Sequence, residues 1–281
     1  MYMMSLLEIF RNKVDKKKVL QVKGSQKVGL VLGGGAARGI AHLGVLKAFE
    51  TFNIPIDYLA GASAGSFVGG IYAAGVSIDE MIVRVSKLKW LELISLSFSR
   101  KSMISARKLD RYLSLWVDDI KMNELKIPFY CGATDILTGE PVHFEKTDML
   151  LRHAIRASVS FPGFFKPFLY EGRHLVDAGV SSNMPINAVK RLGADVVIAI
   201  NVIPNMALDE LPNSFRSIMD RCLDLMIRRT SDLAIKEADL ALHPIQEHVG
   251  SFAIHRSRDL IELGYSCVER HLDEIKAVIV S

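Results

Sequence analysis

The chain has 281 residues, of which 49% are hydrophobic and 23% charged, proportions of a globular protein able to bury a substantial core. Its net charge of +4 is uneven: residues 1–27 carry +5 and the remainder −1, so the body lacks the basic face of a nucleic-acid-binding domain. Three cysteines, Cys131, Cys222 and Cys267, are odd in number and without C-x-x-C spacing, which argues against a disulfide framework or a zinc site and fits a reducing, cytoplasmic compartment.

The first segment, MYMMSLLEIFRNKVDKKK, sets its apolar residues before its lysines, with Glu8 among them and no small-residue cleavage site, unlike a secretory signal. Residues 1–26 therefore read as a basic arm. It is either an interfacial anchor, its first 24 residues drawn to anionic lipid at the inner membrane face, or a frayed terminus. No apolar run reaches 18 residues, so no membrane-spanning helix is expected.

From residue 27 to 281 one α/β domain with a largely parallel sheet is predicted. VGLVLGG is a buried strand, and AARGIAHLGVLKAFETF follows with helical spacing up to Asn53 and Pro55. IDYLAG is a short strand leading to Ser63, and AGSFVGGIYAAG behind it is a buried helix. Residues 78–125 read as irregular helix, with WLELISLSFS as core or a mobile cover. PFYCGATDI and EPVHFE flank a hairpin turn at Thr138-Gly139, and LYEGRHLVDAGV turns at Glu171-Gly172. A helix is expected from Thr147, another over PINAVKRLG, and a buried strand in ADVVIAINVI. Residues 213–240 and 256–277 should be mostly helical.

Ser63 lies in GASAG, a G-x-S-x-G pentad between an apolar strand and a buried helix. That is the context in which a serine is strained into exposure as a nucleophile, and packing of a glycine-rich helix start is the alternative. GGGAARG, Gly33 to Gly39, ends the first strand. It fails the dinucleotide fingerprint at Arg38 and the P-loop pattern at Ile40 and Ala41. What remains is a nest of N–H groups at a helix start, suited to an oxyanion. No histidine has a distinctive setting as a base: His243, His248 and His255 come late in the chain, and His42 reads as a helix-face residue. Asp177, at the end of an apolar strand in LVDAGV, is the stronger candidate, although turn carboxylates usually bond locally.

In order along the chain, GGGAARG, GASAG, ASVSFPGFFKP and VDAGV resemble the patatin-like phospholipases, over roughly residues 27–205. The resemblance implies a three-layer α/β/α sandwich with a largely parallel central sheet, and a Ser–Asp dyad without histidine. It further implies hydrolysis of acyl esters of phospholipids or lysophospholipids. Ser63 is then the nucleophile, Asp177 the base, and the N–H groups of Gly34, Gly35 and Ala64 the oxyanion hole, with Arg38 orienting the glycine loop. Where the family has Asp-Gly-Gly or Asp-Gly-Ala, this chain has Asp177-Ala178-Gly179, which strains the turn if the middle residue requires φ > 0. An acyltransferase or thioesterase using Ser63, or an inactive lipid-binding or regulatory protein, is the alternative. No calcium loop or zinc cluster stands out, so no cofactor or essential metal is expected.

Two further stretches read ambiguously. Phe161, Phe164, Phe165 and Phe168 could line an acyl pocket, but so many in nine residues are more often core and turn scaffold. FRSIMDRCLDLMIRR, with Phe215, Ile218, Cys222, Leu225 and Met226 on one face, could pack on the domain, meet a second subunit or rest on lipid; packing is favoured.

Overall fold

The computed structural model describes residues 10, 19, 26–87, 96–99, 102–104, 106–208, 210–251 and 253–280. The anchor reading of the arm lies almost wholly outside the described residues, as do residues 90–95 of the expected core or cover. Phe10, which the structure does describe, is buried and stacks on Tyr265 with ring centroids 4.5 Å apart.

Five strands are parallel, in the order β10 (Leu240–Leu242), β9 (Val196–Ile200), β1 (Val28–Leu32), β2 (Tyr58–Gly61) and β5 (Phe129–Asp135). Both faces of this sheet are buried, as its apolar runs require. Leu30, Leu32, Leu59, Phe129, Ile198 and Ile200 join the larger core. It is covered by α1 (Ala41–Thr51), α2 (Ala64–Ala73), α3 (Ile78–Ser86), α5 (Leu151–Ser158), α8 (Ser257–Arg270) and α9 (Leu272–Val280). Val31, Ala60, Val197 and Ala199 alternate to the other face, under α6 (Ile186–Leu192). The result is a helix–sheet–helix sandwich.

β5 is long enough to serve three partners. β6 (Pro141–Glu145) runs antiparallel beside residues 130–134. On the opposite edge β2 pairs with residues 129–131, and β8 (Arg173–Val176) runs antiparallel beside residues 134 and 135. β2 and β8 thus point at one another along one edge of β5, and the loops leaving their C-terminal ends meet. β7 (Phe168–Tyr170) joins β8 through Glu171 and Gly172, at φ +47° and +78°, the paired left-handed conformation of a tight hairpin turn.

Two expectations are corrected. A short antiparallel pair, β3 (Leu96–Ser99) and β4 (Ser102–Ile104), precedes α4 (Ala106–Ser114), where irregular helix is predicted. The helical reading of residues 213–240 holds for α7 (Phe215–Ala234), but the chain then enters edge strand β10, too short to carry a period of its own.

Candidate active site

Ser63 occupies the turn between β2 and α2 with φ +49° and ψ −121°, a conformation that costs an L-residue about 1–3 kcal/mol and is held by its surroundings. Its N–H donates to Ser158 Oγ at 3.2 Å, and its carbonyl accepts from the N–H groups of Ser66 and Phe67. The flanking glycines are required for close approach. A Cβ on Gly65 would strike the Leu32 carbonyl, and one on Gly61 the Gly65 carbonyl. The strand–turn–helix elbow expected at the pentad is therefore present, and it leaves Ser63 partly open while Gly61, Ala62 and Gly65 are buried.

Ser63 Oγ donates to Asp177 Oδ2 at 2.6 Å across 114 residues of chain. The other carboxylate oxygen accepts from the Gly179 N–H at 2.8 Å. The Asp177 backbone is fixed on both sides: its N–H donates to the Ser160 carbonyl at 3.0 Å, and its carbonyl accepts from Thr134 Oγ1 at 3.2 Å. Asp177 is buried, and loss of hydration pushes its pKa up to about 7, against the lowering effect of its bonds from Ser63 and Gly179. Ala178 does not take a positive φ; it opens a short 3-10 turn, so alanine is accommodated there and the carboxylate stays aimed at Ser63.

The glycine loop at the end of β1 lies beside the elbow, with Gly39 packed directly against Ala64. The Gly34 N–H, expected among the oxyanion donors, instead donates to Asn183 Oδ1 at 3.1 Å, while Asn183 Nδ2 reaches the Gly34 carbonyl at 3.4 Å and Ser231 Oγ at 3.1 Å. That N–H is taken. The N–H groups of Gly35 and Ala64 meet no backbone acceptor among the described residues and remain available to an anion. Arg38 is bonded to the loop: its Nε donates to the Gly35 carbonyl at 3.1 Å, and its two terminal nitrogens donate to Asp224 at 2.9 and 2.6 Å. Asn183 and Asp224 carry no local signature, and Ser158 lies in the ASVSFPGFFKP block without a role read for it; each acts on a partner at least 95 residues away.

Ser63 and Asp177 open onto a cavity of about 280 Å³. Its lining is mostly apolar, with Leu43, Phe67, Val68, Val85, Leu109 and Val159 among its walls. Phe161, Phe164 and Phe165 line it as well, so the scaffold expectation is corrected for these three; Phe168 lies in β7, its ring 5.7 Å from the Arg156 guanidinium. Among the described residues, no histidine lines it. His42 is buried with Nε2 donating to the Gly33 carbonyl at 2.7 Å, and burial lowers its pKa to about 4, so it is neutral and committed to the loop. An apolar cavity, a serine bonded to a buried carboxylate and free N–H groups beside them are what acyl transfer requires.

The sheet and its flanking helices agree with comparison to known proteins. The family model described as Patatin-like phospholipase matches residues 30–190, and the chain belongs to that family. The lysophospholipase nte1 of Aspergillus fumigatus is 36% identical over 181 residues, covering 62% of this chain and 12% of that protein. The lysophospholipase NTE1 of Saccharomyces cerevisiae is 33% identical over 200 residues, 69% of this chain and 12% of that protein. The chain thus spans only about an eighth of the length of these curated relatives. Among solved structures, VipD from Legionella pneumophila superposes with a TM-score of 0.58 at 14% identity, covering 89% of this chain and 67% of that one. Human GIVD cytosolic phospholipase A2 gives 0.54 at 12% identity, over 99% and 66%. Both likenesses support the fold. Among the described residues, no helix is long and apolar enough to cross a membrane.

Proposed function

We propose that this chain is a serine acyl hydrolase that releases fatty acid from phospholipid or lysophospholipid esters. The observation that carries the reading is the 2.6 Å bond from Ser63 Oγ to the buried Asp177, at an apolar cavity. Asp177, once ionised, takes the Oγ proton as Oγ attacks the ester carbonyl carbon. The carbonyl oxygen gathers negative charge against the N–H groups of Gly35 and Ala64. On collapse the glycerol oxygen leaves with the proton from Asp177, and Ser63 holds the acyl group. Water then attacks the acyl carbon, giving its proton to Asp177, which returns it to Ser63 Oγ as the acyl–Oγ bond breaks and the fatty acid is released. A carboxylate near pH 7 in its titration suits this shuttle better than an ordinary aspartate, whose basicity is too low. The fungal relatives are lysophospholipases, which supports a single-chain ester as substrate.

Release of fatty acid from lysophosphatidylcholine, and of nitrophenol from nitrophenyl butyrate, tests the reading. Ser63→Ala should lower both rates on the order of a thousandfold or more. Equal rates for wild type and variant would overturn it.

A further inference from the structure

α7 is built the wrong way round for a helix on a globular surface, which normally turns its apolar side inward. At about 100° per residue, Phe215, Met219, Cys222, Met226 and Leu233 fall in one narrow sector. Phe215, Met226 and Leu233 are 82%, 65% and 64% exposed. Just ahead of the helix, Leu211 is 86% exposed. The opposite sector is polar and faces the protein: Asp220 and Asp224 line the cavity, and Ser231 is fully buried. The packing expected for the apolar face is thus corrected, since that face points to solvent.

The charges on α7 are sorted as well. Arg229 is exposed within the apolar sector, between Met226 and Leu233. Among the described residues of α7, no carboxylate shares that sector, because Asp220 and Asp224 face the cavity and Asp232 pairs with Arg228 at 3.8 Å. An outward surface of large apolar side chains with a cation among them matches an anionic lipid interface, where the apolar groups enter the acyl boundary and the guanidinium meets phosphate. A second copy seated along the same sector would bury Arg229 against its counterpart or against apolar side chains, with no carboxylate to pair it.

We propose that the outward face of α7 is the surface by which this protein docks on anionic lipid. Its purpose rests on the acyl-hydrolase reading, because the inner face of the same helix forms part of the cavity wall. Docking there brings the lipid surface to within a helix diameter, about 10 Å, of the cavity that holds Ser63. The same helix grips the glycine loop through Asp224 on Arg38 and Ser231 on Asn183, so the docked element and the anion-facing loop are mechanically joined.

Flotation of the full chain with phosphatidylcholine vesicles, with and without phosphatidylglycerol, tests the proposal. Wild type should float with the anionic vesicles. A Phe215→Ser, Met226→Ser, Leu233→Ser variant should bind about tenfold less or weaker still, and Arg229→Glu should lose the preference for anionic lipid. Both should retain the wild-type melting temperature and the wild-type rate on soluble nitrophenyl butyrate. Wild type that fails to float, or a triple variant that floats as well as wild type, would overturn the proposal. So would light scattering that shows a wild-type dimer and a monomeric triple variant, which would make the sector a subunit interface. Failure of the hydrolase reading is seen separately, as equal ester turnover by wild type and Ser63→Ala whatever the vesicle result.

Discussion

Ser63 Oγ lies 2.6 Å from Asp177 Oδ2 at the junction of two strands that run head-on along one edge of β5. β2 delivers the serine through a strained elbow, and β8 delivers the carboxylate through a 3-10 turn that bonds its second oxygen. The dyad is a property of the sheet.

Asp177→Asn separates function from stability. Burial raises the folded-state pKa from 3.8 to about 7, so the folded protein holds a proton that the unfolded chain releases between those values. The contribution of Asp177 to stability is therefore greatest below about pH 4 and is lost as pH rises through 7. The loss at pH 8 is about 4 kcal/mol at most. The Asn variant should be inactive yet melt several degrees higher than wild type at pH 8, with the gap closing toward pH 4; scanning calorimetry across that range reads both.

Turnover should follow the ionisation of Asp177. The kcat of wild type on a soluble ester should rise through about pH 7 and then level, since the base works only when deprotonated. A profile flat from pH 5 to 9 would remove Asp177 from the base role.

Asn183 is a positioning residue that holds both polar groups of Gly34. Asn183→Ala should free the loop beside the anion-facing N–H groups and lower kcat about tenfold to a hundredfold with KM little changed. A rise in KM at constant kcat would mean that the residue serves binding instead.

Asp224→Ala would leave the Arg38 guanidinium, only 4% exposed at its side chain, without its carboxylate. Removing one partner of such a pair costs about 3–5 kcal/mol. A chemical-denaturation midpoint equal to wild type would show that the pair contributes little.

Val85→Phe narrows the acyl cavity without touching the dyad. The chain-length optimum on nitrophenyl esters should shift to shorter acids, while the butyrate rate holds. An unchanged optimum would place the acyl chain elsewhere.

What the sequence made legible was whatever the backbone itself dictates. The pentad glycines mark where Leu32 and Gly65 approach, apolar runs mark β1 and β9, and Asp177 ends an apolar strand. Residues that act across the fold left no such trace. Asn183 and Asp224 are ordinary polar residues until folding sets them on the glycine loop, and the acceptor of the Gly34 N–H lies 149 residues away, where no local pattern marks it. α7 was legible as an amphipathic helix, but periodicity gives a face without saying whether it points inward, and here it points out.

The most direct test of the histidine-free dyad is labelling with an alkyl fluorophosphonate, which reacts preferentially with an activated serine, followed by peptide mapping. One equivalent is expected on Ser63 in wild type, with labelling slowed on the order of a thousandfold in Asp177→Asn. Labelling of Asp177→Asn at the wild-type rate, or a modified serine other than Ser63, would contradict the assignment of the dyad.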